Sequence, residues 1–181
     1  TVVETAKGGT DRIETRAVDV DLLDFAHVED VALFGARPLD VAGSAAANRL
    51  LGNDGGNVIA GRGGDDTLDG GGGRDALSGN AGRDRLFGGS GADTLTGGLD
   101  RDTLTGGAGP DVFVMHPGHG TDTITDFAGG DRLDLTAFDL GSFAALRLVQ
   151  RDDAVHIPLD DARVILAGVD IADLSADMFV L

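Results

Sequence analysis

Eight residues at strict nine-residue intervals carry side chains able to hold a metal ion: Asn48, Asn57, Asp66, Asp75, Asp84, Asp93, Asp102 and Asp111. They offer oxygen only, which suits hard divalent cations. Each is followed two places on by a large apolar residue, namely Leu50, Ile59, Leu68, Leu77, Leu86, Leu95, Leu104 or Phe113, and preceded five places back by glycine. Written in nines from Gly52, the chain reads GNDGGNVIA, GRGGDDTLD, GGGGRDALS, GNAGRDRLF, GGSGADTLT, GGLDRDTLT and GGAGPDVFV, ending at Val114 without a slip; a degenerate unit, GSAAANRLL from Gly43, extends the series backwards. A flexible linker has no reason to place one large apolar side chain every ninth residue. A collagen-like chain would need glycine every third residue and much proline.

These residues must be positioned by a turn and a strand in each unit. Six residues rich in glycine form the turn, since glycine reaches positive φ without a Cβ clash. The three that follow form a short strand, with position eight facing inward and positions seven and nine outward. Two strands and two turns close one coil, so residues 18 apart stack at about 4.8 Å, the strand spacing of a sheet. Two parallel sheets then face each other across a seam of Leu, Ile and Phe. The position-six residues fall into two columns, Asn48, Asp66, Asp84 and Asp102 on one edge and Asn57, Asp75, Asp93 and Asp111 on the other. Bare carboxylates one rung apart repel by up to about 4 kcal/mol at an intermediate effective dielectric. A divalent cation between rungs reverses that sign, and Ca²⁺ suits because it accepts many oxygens in flexible geometry, whereas Mg²⁺ demands a tighter octahedron.

The nonapeptide G-G-x-G-x-D-x-U-x, with U large and apolar, resembles the RTX (haemolysin-type) calcium-binding repeat. The resemblance implies an all-β, right-handed parallel β-roll that binds several calcium ions. It also implies that each ion lies between two turns, held by position-six carboxylates and by carbonyl oxygens of the glycine segment, such as those of Gly64, Gly71, Gly73, Gly82, Gly89, Gly91 and Gly98. The pairs Asp66/Asp84, Asp84/Asp102, Asp75/Asp93 and Asp93/Asp111 should make four good sites. Asn48 and Asn57 bring an oxygen without charge, so their pairs with Asp66 and Asp75 should bind more weakly or stay empty. Asp100 stands where position four is usually glycine, and aspartate tolerates left-handed backbone better than most residues. Pro110 at position five suggests that regular coiling stops nearby.

The composition agrees with a cation-binding role. Fourteen basic residues against 31 acidic give a net charge of −17, which disfavours nucleic acid and anionic membrane as partners. At 41% apolar residues, something is buried. There is no cysteine, so neither disulfides nor thiolate metal sites are open to the chain. No run approaches the length of a membrane span, and Thr1 to Ala6 carry neither a signal peptide nor an initiator methionine, so the amino end reads as a cut.

The expected organisation is a lead-in or N-terminal cap over 1–42, the roll over 43–114 and a β-rich C-terminal cap over 115–181. In the first part, Asp19 to Leu22, Val28 to Phe34 and Leu39 to Val41 read as irregular strands of a cap or of further coil. The stretches Thr1-Val-Val-Glu-Thr, Gly9-Thr-Asp-Arg-Ile and Val28-Glu-Asp-Val-Ala-Leu resemble the lead-in between repeat blocks. In the last part, a short helix is expected near Ser142 to Leu148, strands at Ala154 to Leu159 and Arg163 to Leu166, and a terminal helix around Ile171 to Leu174. Phe113, Ile124, Phe127, Leu133, Leu135, Phe138, Phe143, Leu146 and Phe179 should cover the last rung. This segment is similar to the caps of serralysin-type proteases and alginate C5-epimerases, which implies a further calcium at a carboxylate like Asp122, with Asp126, Asp131 and Asp134 as surface or turn residues. The ending Asp177-Met-Phe-Val-Leu resembles an uncleaved type I secretion signal; a strand closing the cap is the lesser reading, and the two are compatible. The resemblance thus implies a monomeric module secreted from a Gram-negative bacterium, with calcium and the secretion machinery as partners.

Catalytic motifs are missing from the sequence. There is no H-E-x-x-H, no G-x-S-x-G and no Gly-Lys-Ser/Thr loop, and the regularly spaced aspartates are assigned to metal rather than to glycoside hydrolysis. The chain itself is therefore not expected to be an enzyme, which leaves the activity of a parent protein open. His116 and His119 could chelate a transition metal, but Pro117, Gly118 and Gly120 make their surroundings a loop. A second reading, prompted by the epimerase modules, is an acidic-polysaccharide or adhesive module in which Arg62, Arg74, Arg83, Arg85 and Arg101 line a groove.

Overall fold

The computed structural model describes residues 2–3, 9–25 and 27–181. Thr1, Glu4 and Thr5 of the first lead-in stretch lie outside the described residues. Among the described residues, alternation about each position-eight side chain builds two facing sheets. One has eleven strands in the order Val2–Val3, Arg12–Thr15, Asp30–Leu33, Arg49–Asn53, Thr67–Gly73, Arg85–Gly91, Thr103–Ala108, Thr121–Ile124, Ala162–Ala167, Ala154–Leu159 and Val149–Arg151. The other has eight: Val20–Asp21, Val41–Ala42, Val58–Gly63, Ala76–Ala81, Thr94–Leu99, Val112–Val114, Arg132–Asp134 and Phe179–Val180. Chain order alternates between sheets through the repeats, and the repeat strands pair in parallel at a step of 18, as in Leu50↔Leu68↔Leu86↔Leu104 and Ile59↔Leu77↔Leu95↔Phe113. This is a parallel β-roll.

Every position-eight side chain from Leu50 to Phe113 is buried, none more than 2% exposed. Such a residue contributes about 1.5–3 kcal/mol by burial. The strands are longer than the three residues expected. Thr67–Gly73 and Arg85–Gly91 run from position seven through position four of the next unit, because glycine backbones pair across rungs as well as apolar ones do, for example Ser90↔Gly72 and Gly89↔Gly107. The true turn is thus compressed to about position five and position six.

Residues 12–25 and 27–42 are further coil. Ile13 pairs with Val31, Val31 with Leu50, Val20 with Val41 and Val41 with Ile59, all in parallel. Beyond Pro110 coiling also continues, with two extra residues per rung: Leu104 pairs with Ile124 and Phe113 with Leu133. The chain then closes with an antiparallel meander, Val149–Arg151, Ala154–Leu159 and Ala162–Ala167, whose last strand pairs in parallel with Thr121–Ile124. Phe113, Ile124, Phe127, Leu133, Leu135 and Phe179 are buried in one core, with Phe138, Phe143 and Leu146 packed against it. Two expected helices are only single 3-10 turns, Phe143–Ala145 and Ile171–Asp173. Segments this short cannot offset the cost of nucleating an α-helix. The C-terminal residues Phe179–Val180 form a strand beside Leu133 and Asp134.

Candidate metal centre

Each position-six aspartate ends its turn two places before an inward-facing residue, so the alternation of the chain turns its side chain inward at the edge of the seam. Asp66, Asp75, Asp84, Asp93, Asp102 and Asp111 are no more than 2% exposed. Oδ1 of each accepts the backbone N–H of the position-six residue one rung earlier: Asn48 to Asp66 (2.7 Å), Asp66 to Asp84 (2.8 Å) and Asp84 to Asp102 (2.9 Å) on one edge, Asn57 to Asp75 (2.6 Å), Asp75 to Asp93 (2.8 Å) and Asp93 to Asp111 (2.9 Å) on the other. Oδ2 of all six is buried without any hydrogen-bond partner. A buried carboxylate oxygen left unpaired costs about 1–3 kcal/mol, more when charged. Six in register demand a counter-charge.

Electrostatics agree. Burial pushes Asp66 and Asp102 up to about 7 and Asp75 and Asp84 up to about 6, despite the N–H donor that each accepts. Carboxylates in the column add to this, Asp84 acting on Asp66 and Asp93 on Asp75. Asp93 and Asp111 are raised by burial as well, Asp93 less freely because Arg74 lies nearby.

The glycines form the rest of the cradle. Gly64, Gly71, Gly73, Gly82, Gly89, Gly91 and Gly98, at positions two and four, all have positive φ. Asp100, at position four, has φ 77°, and Arg62 and Asn80, at position two, have φ 76° and 74°. Position one is glycine for a different reason: space. A Cβ on Gly88 would lie 2.7 Å from Asp93 Oδ2 and 2.5 Å from the Gly106 carbonyl oxygen. The same pair of obstacles faces Gly70, in the form of Asp75 Oδ2 and the Gly88 carbonyl. Gly88→Ala should therefore cost about 1–3 kcal/mol or more through overpacking. Gly72→Ala, at position three, meets nothing nearer than Ser90 Oγ at 3.3 Å and should stay within about 0.5 kcal/mol. Melting the two variants in saturating calcium compares them.

Among the described residues no three carboxylate or imidazole side chains converge on one point. Each turn from Asp66 to Asp111 brings one buried carboxylate, and backbone carbonyl oxygens crowd the same space, as that of Gly106 does beside Asp93 Oδ2. Unpaired carboxylate oxygens, crowded carbonyls and the absence of nitrogen or sulfur donors from the turns fit a hard, oxygen-seeking cation.

The asparagines differ. Asn48 Oδ1 accepts Ser44 N–H (2.7 Å) and its amide donates to Val28 O (3.2 Å); Asn57 Oδ1 accepts Asn53 N–H (2.9 Å) and its amide donates to Leu39 O (2.6 Å). Both side chains are satisfied within the protein.

Asp122 ends the first column. Its Oδ1 accepts Asp102 N–H (3.0 Å), and its Oδ2 lies 2.7 Å from Nδ1 of the buried His119. His119 thus pairs with the oxygen that is left without a partner in the six repeat aspartates, while His116 is exposed. Asp131 ends the second column, a role that differs from the surface position expected for it. It is 7% exposed, its Oδ1 accepts Asp111 N–H (3.0 Å), and its Oδ2 accepts Ala128 N–H (2.9 Å). Asp126 accepts the N–H groups of Gly106 (2.9 Å) and Gly107 (2.8 Å), and Asp134 caps Thr136. At the other end Glu29 accepts Asp11 N–H (2.8 Å), extending the first column backwards. The signal for these was the triplet D-x-U, in Asp122-Thr-Ile, Asp131-Arg-Leu and Asp11-Arg-Ile, hidden by the change of step.

The arginines considered for a groove are dispersed. Arg62 is held by Asp21 through two contacts of 2.6 and 2.8 Å and by the Gly43 carbonyl, and it holds Asp21 at about 2. Arg74 lies in one column of turns, Arg83 and Arg101 in the other, and Arg85 on a strand.

A four-copy model of the RTX calcium-binding nonapeptide repeat matches residues 43–77 and 78–113. Among solved structures, the chain is similar to extracellular lipase LipA from Serratia marcescens at 17% identity, over 92% of this chain and 43% of that one, with a TM-score of 0.40. It is also similar to the AlgE6R3 subunit of the Azotobacter vinelandii mannuronan C5-epimerase at 25% identity, over 99% and 84%, with a TM-score of 0.40. The chain spans less than half the length of the lipase. No curated protein matches it.

Proposed function

We propose that this chain, whose residues 43–113 are RTX calcium-binding nonapeptide repeats, is a module that folds on binding calcium and stabilises the C-terminal end of a larger secreted protein. The observation that carries this reading is the stack of six buried carboxylates, each with one oxygen unpaired. Bound Ca²⁺ supplies the positive charge that turns repulsion between rungs into attraction. Asp66 with Asp84, Asp84 with Asp102, Asp75 with Asp93 and Asp93 with Asp111 would hold ions, with carbonyl oxygens of the intervening glycine segments. Asn48 and Asn57 contribute little, because their oxygens already accept hydrogen bonds. Asp122 already shares one oxygen with His119, so an ion held there should bind more weakly than in the repeats.

Calorimetric titration with calcium tests the pairing. Asp84→Ala and Asp93→Ala, each shared by two sites, should each abolish two strong sites, and Asp66→Ala or Asp111→Ala only one. Equal losses from all four variants would overturn the column arrangement.

The role assigned is binding and folding rather than catalysis, with the parent protein's activity lying in other sequence. Export by type I machinery from a Gram-negative cell rests on the resemblance of Asp177-Met-Phe-Val-Leu to a secretion signal. Deleting these five residues should reduce export of the parent protein while leaving its synthesis unchanged; undiminished export would remove this part of the reading.

A further inference from the structure

In a chain with 14 basic and 31 acidic residues, three arginines gather around one cavity at the far end of the cap. The pleat of the antiparallel meander puts them there. Val155, Ile157, Leu159, Val164 and Leu166 face the core and are buried. Side chains alternate along a strand, so the intervening residues must face outward. Val149 lies opposite His156, Arg151 opposite Ala154, and Pro158 opposite Arg163. Arg147 reaches the same place from just before the first strand. Together these side chains line a cavity of about 100 Å³, with Val149 and Pro158 as its apolar part.

No ion pair engages Arg147, Arg151 or Arg163 among the described residues. His156 Nδ1 is also buried and unpartnered. Burial and the nearby Arg151 and Arg163 hold His156 below its usual value, partly offset by Asp152. A concentration of unpaired guanidinium groups offers forked donors matched to a carboxylate or phosphate.

We infer that this cavity is a binding site for a single small oxyanion carried on a short carbon body, which would lie against Val149 and Pro158. The cavity is too small for a polymer segment, and the net charge of −17 opposes a long polyanion lying along the roll. A uronate carboxylate and a phosphate monoester present the same chemistry. The site goes beyond the calcium reading and uses none of its residues.

The test is nuclear magnetic resonance of the full calcium-loaded chain, following the arginine Nε–Hε and His156 ring signals at fixed free calcium. Methyl phosphate is titrated in one arm and glucuronate in the other. Saturable shifts confined to Arg147, Arg151, Arg163 and His156 in either arm support the site, and the arm that saturates identifies the source. Affinity should fall by about tenfold or more in the double variant Arg151→Gln, Arg163→Gln. Both residues are exposed, so its melting temperature should match the parent's. No saturation in either arm, or equal shifts at Arg74 and Arg101, would overturn the inference. Unchanged calcium stoichiometry separates that outcome from a failure of the calcium reading.

Discussion

In calcium-free buffer near neutral pH, the chain should lose most of its β-sheet circular dichroism and regain it when calcium is restored. Six carboxylates would otherwise be stacked in two buried columns, with one oxygen of each unpaired. The apolar seam offsets part of this cost, but it is only one side chain wide in each strand. A ligand at a hundredfold excess over its Kd contributes about 2.7 kcal/mol per site. Four such sites supply about 11 kcal/mol, the size of the entire net stability of a typical domain, about 5–15 kcal/mol. Binding free energy and folding free energy are then nearly the same quantity. A chain that stays fully folded without calcium would sink the proposal. The first rung of the cap should lose least, since Asp122 is paired by His119 and Asp131 by the Ala128 N–H.

Acidification should act in opposite directions with and without the metal. Without calcium, the folded-state values of Asp66 and Asp102, about 7, and of Asp75 and Asp84, about 6, lie above the unfolded value of 3.8. The folded roll therefore binds more protons than the unfolded chain, and its stability rises as pH falls. The gain begins near 7, is complete below the unfolded value of 3.8, and is lost again as pH rises through the folded values. A calcium-free sample taken from near-neutral pH to around pH 5 should recover β structure. That point stays above the isoelectric value of about 4.2, where precipitation would interfere. With calcium present, protons compete for the same oxygens, so the apparent calcium affinity should fall over the same interval. Circular dichroism melts across a pH series in both buffers read the two slopes. Slopes of the same sign would contradict the assignment of these carboxylates to the metal.

The fold of the repeats was legible because its period is exposed in the sequence. A glycine, an acid and an apolar residue at fixed offsets specify the step of 18, the two edges and the seam. Outside 43–114 the same architecture continues but was harder to read, since steps of 19, 20 and 21 residues break the period while Ile13, Val31, Ile124 and Leu133 still stack in place. For that reason the sequence alone presents Asp131 as a surface or turn residue. The helices expected near Ser142 and Ile171 came from local composition, and tertiary demand overrode it: the chain there must return quickly to strands at Val149–Arg151 and Phe179–Val180. At the candidate site, the ligand carboxylates and the left-handed glycines were legible from residue type. The role of position one was not, because it depends on where Oδ2 of another residue comes to rest. Nor was the pairing of His119 with Asp122, two residues that neither hydropathy nor periodicity connects.

The alternation of consecutive units between two sheets also makes the length of the roll a quantised property. Removing residues 70–87 would join Asp69 to Gly88 and leave every downstream strand in its own sheet, one rung nearer the start. Removing only nine residues would send each later strand to the opposite sheet. The repeats themselves could tolerate that exchange, because both sheets read the same pattern. The cap would move with them, because Thr121–Ile124 and Ala162–Ala167 change sheet together, as do Arg132–Asp134 and Phe179–Val180. The roll can therefore change length by single units of nine, each turning the cap by half a coil relative to the first rungs.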